Sequence, residues 1–287
     1  MGERGITDNG GSDAPFVDSH AHIFLQDMPL SSEAWTQIDY GFTAEDLLAL
    51  MDAHGVHFAV ISGLSISGFY NDYMIRALRR HRRLRGTAIV PPETDLYALE
   101  RMNADGIVGI RLQLARQEQL PDLRGDAYRM LFRRVRDLGW HVHVAIEGPC
   151  LRAVLEPLLE TGVNIVVDHF GHPDPADPLG CDGQRAMLEA VDRGHTWVKM
   201  SGGFRLPGTD AWRTDPDGDI DSIAQLVAGS LLGRVGPDRL LWGSDAPFVG
   251  YERRVTYGRV LASFRDWVPD PLMRAEISRT ALRLYFS

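Results

Sequence analysis

Phe16-Val17-Asp18-Ser19-His20-Ala21-His22 is the first strong strand signal in the chain. Side chains of a strand alternate between its faces, so His20 and His22 share one face with only Ala21 between them. Two imidazoles placed so can hold a metal ion or polarise one oxygen together. The plainer alternative is that one packs in a core and the other meets water. Residues further along the chain decide between the two.

Downstream, one unit recurs: a short apolar run, a polar loop, an amphipathic run, a glycine, and the next apolar run. Ser31 to Phe42 reads as loop, and Thr43-Ala44-Glu45-Asp46 resembles a capping box leading into a Leu47, Leu48, Leu50, Met51 stripe that stops at Gly55. Further apolar runs are expected at Val56–Ile61, Arg85–Val90, Ile107–Leu114, Trp140–Glu147, Asn164–Asp168, Thr196–Ser201 and Arg239–Gly243. Between them lie expected helices at Asn71–Arg83, from Thr94 or Asp95 to Gly106, and at Asp126–Leu138, Leu151–Glu160, Gln184–Arg193 and Ile220–Leu232. Two more, at Arg254–Trp267 and Pro271–Tyr285, end the chain. Eight apolar strands separated by helices predict a single distorted (β/α)8 TIM barrel with extra C-terminal helices. An open doubly wound sheet is the other arrangement, but no GxGxxG follows the first strand. Residues 1–14 are polar and glycine-rich and are expected to be a flexible tail, with residues 15–287 forming the barrel.

Composition narrows the function. A chain of 287 residues with 44% apolar content can bury a large core. Its net charge of −9 argues against nucleic acid or an anionic membrane as partner. Cys150 and Cys181 lack CxxC spacing, no signal-peptide core precedes Phe16, and no run is long enough to span a bilayer, so a cytoplasmic protein is expected. A small-molecule substrate and a monomer or homo-oligomer are the corresponding expectations for partners. Lys199 is the only lysine among thirty basic residues, so a single arginine says little here while a lysine inside an apolar run says more.

In a barrel of this kind the active site lies at the C-terminal ends of the strands. His20 and His22 end the first, Arg111 lies late in the fourth, Glu147 ends the fifth and His169 follows the sixth. Lys199 and Ser201 end the seventh, and Asp245 follows the eighth. Such a ring of ionisable groups suits a catalytic mouth better than a core. Each also has a bland reading: Asp245 as a turn cap, Glu147 as an arginine acceptor, Lys199 as the partner of Asp168 or Glu147. His141, His143 and His172 read as structural or peripheral.

With these residues in order, the chain resembles the metal-dependent-hydrolase (amidohydrolase) superfamily, in the branch containing 2-pyrone-4,6-dicarboxylate lactonase and sugar lactonases. The resemblance rests on Val17-Asp18-Ser19-His20-Ala21-His22-Ile23-Phe24, Gly109-Ile110-Arg111-Leu112, and Gly139-Trp140-His141-Val142 leading to Glu147-Gly148. It continues through Val167-Asp168-His169-Phe170-Gly171-His172-Pro173, Val198-Lys199-Met200-Ser201-Gly202 and Leu241-Trp242-Gly243-Ser244-Asp245. It implies a hydrolase opening a small, carboxylated lactone or related cyclic ester. Asp245 would be the general base, and His20, His22 and His169 would polarise the carbonyl directly or through one divalent ion, zinc or manganese. His20, His22, His169 and Asp245 would ligate that ion. Arg111 and Arg205 would hold a substrate carboxylate, with Glu147, Ser201 and Phe248 also lining the substrate site.

Two positions depart from the family pattern. Ala145 stands where strand five often carries histidine or tyrosine, and Phe248 stands in a segment where these lactonases more often show tryptophan, proline and histidine. Specificity is expected from loops such as Ser65–Tyr70 and Leu206–Gly218. The competing readings are a metal-dependent non-oxidative decarboxylase of the same superfamily, Schiff-base chemistry at Lys199, and a catalytically dead barrel kept for binding.

Overall fold

A computed structural model describes residues 14–206 and 221–287. Its strands are β1 (Val17–Ala21), β2 (Phe58–Ser62), β3 (Leu84–Ala88), β4 (Ile107–Gln113), β5 (His141–Ala145), β6 (Asn164–Val167), β7 (Thr196–Met200) and β8 (Leu240–Trp242). All pair in parallel and in sequence order, and the ring closes where Asp245 N donates to His20 O at 2.7 Å and His22 N to Ala246 O at 2.8 Å. The helices are α1 (Ala44–His54), α2 (Asp72–Arg80), α3 (Leu96–Ala104), α4 (Asp126–Asp137), α5 (Leu151–Thr161), α6 (Asp182–Asp192), α7 (Ser222–Arg234), α8 (Tyr257–Trp267) and α9 (Pro271–Tyr285). This is the expected (β/α)8 barrel with extra C-terminal helices. All but the last residue of the expected tail, and all but the first residue of the Leu206–Gly218 loop, lie outside the described residues.

Local chemistry explains the elements. Thr43 and Asp46 bond reciprocally at the start of α1, and Gly55 ends it in the left-handed conformation that a β-carbon disfavours. Val17, Val60, Val166 and Leu241 form one apolar cluster with Ala281 and Tyr285 of α9, which closes the barrel from beneath. The remaining core lies between strands and outer helices. No helix among the described residues is long and apolar enough to cross a membrane.

Three expectations change in detail. β5 stops at Ala145, so Glu147 sits on the following loop rather than at the strand end. β1 stops at Ala21, so His22 lies just past it. The register of β1 on β2 also shifts between Asp18 and Ala21. Asp18 therefore bonds Tyr257 of α8 at 2.8 Å and Ser244 N at 2.8 Å, while His20, two residues on, faces the groups inside the barrel. Simple alternation would have sent Asp18 and His20 the same way.

Candidate active site

A cavity of about 660 Å³ opens at the C-terminal ends of the strands, lined by His22, Arg111, Glu147, His169, Arg205 and Asp245 among the expected residues. Asp245 sits on its floor, 2% exposed. Its Oδ1 lies 3.3 Å from His22 Nε2 and 3.7 Å from His20 Nε2, and its Oδ2 accepts from Arg205 Nε at 2.5 Å. Burial alone would raise the carboxyl pKa, but Arg205 foremost, then His169, holds it well below the usual range. Asp245 is therefore a carboxylate at neutral pH, able to accept a proton.

The imidazoles are held from behind. His22 Nδ1 meets Ser62 O at 2.8 Å, and since a carbonyl only accepts, the proton is on Nδ1. His169 Nδ1 pairs with Ser201 Oγ at 2.9 Å. Burial pushes His20, His169 and His172 down to about 3, so all three are neutral.

Beneath them lies a charged cluster. Lys199 Nζ is 3.1 Å from Asp168 Oδ1, 3.2 Å from His20 Nδ1 and 3.0 Å from His143 Nδ1. Arg111 Nε donates to Asp168 Oδ2 at 3.1 Å, and its Nη1 to Gly63 O at 2.9 Å. Burial opposes ionisation of Asp168, yet Lys199, His20 and Arg111 hold its pKa well below the ordinary value. The ion-pair reading of Lys199, with Asp168 as partner, is the arrangement observed.

The expected residues divide. Ser201 and Phe248 do not line the cavity: Ser201 is fully buried behind His169, and Phe248 packs edge-on against Phe204 with centroids 5.9 Å apart. Glu147 lines the rim, where its Oε1 accepts from the backbone N of Arg116 at 3.0 Å. The sequence reading missed Arg116, Trp35 and Tyr251 and set His172 aside as structural or peripheral, yet all four line the cavity. The Arg116 guanidinium lies 4.2 Å from the Trp35 ring centroid, and among the described residues it makes no hydrogen bond or ion pair. His169, His172, Asp245 and Arg116 all carry positive φ (50°, 43°, 63° and 67°), a strained setting for residues with a β-carbon that clusters at functional sites. The short His-Phe-Gly-His run was the available signal for His172.

These residues fit a divalent ion. His22 Nε2, with the ring proton already on Nδ1, faces a carboxylate oxygen at 3.3 Å, and two such acceptors need a proton or a cation between them. His20 Nε2 is buried without a hydrogen-bond partner. His20, His22 and Asp245 offer ligand atoms within 4.8 Å of one another, as do His20, Asp168 and His169. The expected four-residue set thus splits into two groups that share His20.

The chain is similar over nearly its whole length to lactone hydrolases. A 4-sulfomuconolactone hydrolase of Rhizobium radiobacter is 26% identical over 269 residues, covering 91% of this chain and 86% of that protein. A 2-pyrone-4,6-dicarboxylate hydrolase of Comamonas testosteroni is 26% identical, covering 94% and 90% respectively. A structure from Acinetobacter baumannii, designated a 2-pyrone-4,6-dicarboxylic acid hydrolase and holding citric acid, superposes with a TM-score of 0.86 at 28% identity, covering 94% of this chain and 98% of that one. The amidohydrolase family model matches residues 17–286, and the chain belongs to the amidohydrolase family.

Proposed function

We infer that this chain is a lactone hydrolase that opens a small carboxylated cyclic ester with water. The observation that carries this reading is Asp245, a carboxylate kept ionised on the cavity floor beside His22, His20 and Arg205. The similarity to hydrolases of sulfonated and carboxylated lactones supports it.

In the proposed reaction, Asp245 accepts a proton from water as the oxygen attacks the lactone carbonyl. The His169 imidazole faces the developing oxyanion with His20 packed behind it, while His22, its proton on Nδ1, can accept a hydrogen bond from the attacking water at Nε2. When the tetrahedral adduct collapses, the acyl C–O bond breaks and Asp245 returns its proton to the departing ring oxygen. The products are a hydroxyl group and a carboxylic acid, which releases its remaining proton to solvent and leaves as a carboxylate. Arg116 at the rim, whose guanidinium makes no hydrogen-bonded ion pair among the described residues, suits the substrate carboxylate. Arg111 and Arg205 each already serve an internal carboxylate and add positive potential from the floor and wall. If zinc or manganese is bound, His20, His22 and Asp245 are the residues that would hold it, and it would supply carbonyl polarisation and a more acidic water.

The test is a pH-indicator hydrolysis assay on carboxylated, sulfonated and neutral lactones, with and without a strong chelator. Faster turnover of anionic lactones is the expected result. No turnover of any lactone under either condition, with decarboxylation of carboxylated aromatics instead, would overturn the reading.

A further inference from the structure

We propose that Lys199 is a positioning residue that keeps the proton of His20 on Nε2, so that His20 faces the cavity-floor groups as an N–H donor and not as a free lone pair. The inference rests on the lactonase reading for its purpose, though not for its geometry.

Lys199 is fully buried at the end of β7, and Asp168, 3.1 Å away, neutralises its charge. An ammonium group has three donors and no acceptor. Three acceptors surround this one: Asp168 Oδ1, His143 Nδ1 at 3.0 Å and His20 Nδ1 at 3.2 Å. They come from three parts of the barrel wall, β1, β5 and the end of β6. A compact ammonium can serve converging acceptors from one nitrogen, whereas a guanidinium spreads its donors over a plane. That is a physical reason for a chain with thirty basic residues to use lysine here and nowhere else.

With Lys199 donating to His20 Nδ1, the single proton of the neutral ring must sit on Nε2. This nitrogen is buried without a hydrogen-bond partner and lies 3.7 Å from Asp245 Oδ1. The other tautomer would point an N–H from His20 Nδ1 to Asp168 Oδ1 across 3.4 Å, in competition with the Lys199 ammonium, which lies 3.2 Å from that nitrogen and 3.1 Å from that oxygen. The His20 N–H is therefore directed at the cavity floor, toward Asp245 Oδ1, from beneath the space a carbonyl oxygen would enter. A divalent ion, which needs the bare nitrogen, first has to displace the Lys199 hydrogen bond. Lys199 thus sets the site toward direct hydrogen-bond polarisation and lowers its affinity for metal.

The experiment is a long-range proton–nitrogen NMR spectrum of chelator-treated protein labelled at histidine, with His20 assigned by its loss in His20→Asn. Wild-type protein is expected to show His20 protonated at Nε2 and bare at Nδ1. In Lys199→Met the proton should move to Nδ1, and titrated zinc should bind about 10- to 100-fold more tightly, the usual scale of such supporting contacts. A wild-type His20 protonated at Nδ1, or a Lys199→Met protein with unchanged tautomer and zinc affinity, would overturn the proposal. Should Lys199→Met not fold, the wild-type spectrum still decides. No substrate enters these measurements, so an absence of lactone turnover would sink the lactonase reading separately.

Discussion

Asp245 is pulled by several groups at once: Arg205 on one oxygen, His22 and His20 near the other, and a backbone turned to φ 63°. Asp245→Asn keeps the shape but cannot accept a proton, so kcat should fall by about 10²–10⁴, the usual worth of a positioned base. An unchanged kcat would rule out its role as base. Because Arg205 foremost, then His169, depresses this pKa, the proposed base is already ionised through the neutral and mildly acidic range. The kcat/KM profile should stay flat down to roughly pH 4, the ordinary carboxylate value, and fall only below it. A limb centred near pH 6 would contradict that. Arg116→Ala should raise KM for carboxylated lactones by about 10- to 100-fold, matching a charged hydrogen bond of about 1.5–3 kcal/mol, and leave neutral lactones unaffected. Equal loss for both substrates would mean that Arg116 shapes the rim without reading charge. Arg116 was not legible in the sequence because nothing near it announces Trp35, which lies in a loop some eighty positions earlier and reaches it only in the folded barrel.

The loops after the strands carry the strain and the strand bodies supply the rigidity. Gly202, just past β7, has φ 58°, and a β-carbon added there would lie 2.7 Å from His169 Nδ1 and 3.3 Å from Asp245 Oδ2. Gly202→Ala should push His169 off its Ser201 bond and lower kcat by about 10²-fold, as ångström-scale misplacement does. Circular dichroism would confirm that the fold is intact, and a fully active variant would show that the loop can yield. On the outer layer, Thr43→Ala removes the hydroxyl that accepts from Asp46 N and donates to Asp46 Oδ2 at the start of α1, leaving only the backbone bond of the capping box. It should cost about 1 kcal/mol in urea denaturation with kcat and KM unchanged. Element types were readable from local signals such as this box and the glycine stops. The placement of His22 and Glu147 was not, because strand ends depend on which backbone groups find partners in the neighbouring strand.

At the scale of the whole barrel, burying so many imidazoles couples stability to pH. His20, His169 and His172 have folded values of about 3 and His141 about 4, against 6.5 when free. Between these limits the unfolded chain binds more protons than the folded one, so stability rises with pH there and is lost on acidification from about pH 6.5. Each such histidine adds a slope of roughly 1.4 kcal/mol per pH unit. The depressed Asp168 acts lower, its contribution present above the usual carboxylate pKa of roughly 4 and lost as pH falls below it. Urea midpoints at several values from pH 7.5 to 5 should drop steadily, and a flat series would show these rings to be charged or exposed. From sequence alone, eight apolar runs with glycine stops determined the barrel, and the barrel's polarity determined which strand ends could bear chemistry, because both depend on periodicity within a few residues. Only the tertiary structure decided the partnerships: Lys199 with Asp168 and His20, Arg205 with Asp245, Arg116 against Trp35, and Phe248 turned away from the cavity. Those contacts span the barrel, and their distances are set by register, by the irregularity in β1 and by left-handed loop residues whose effect cannot be read from their immediate neighbours.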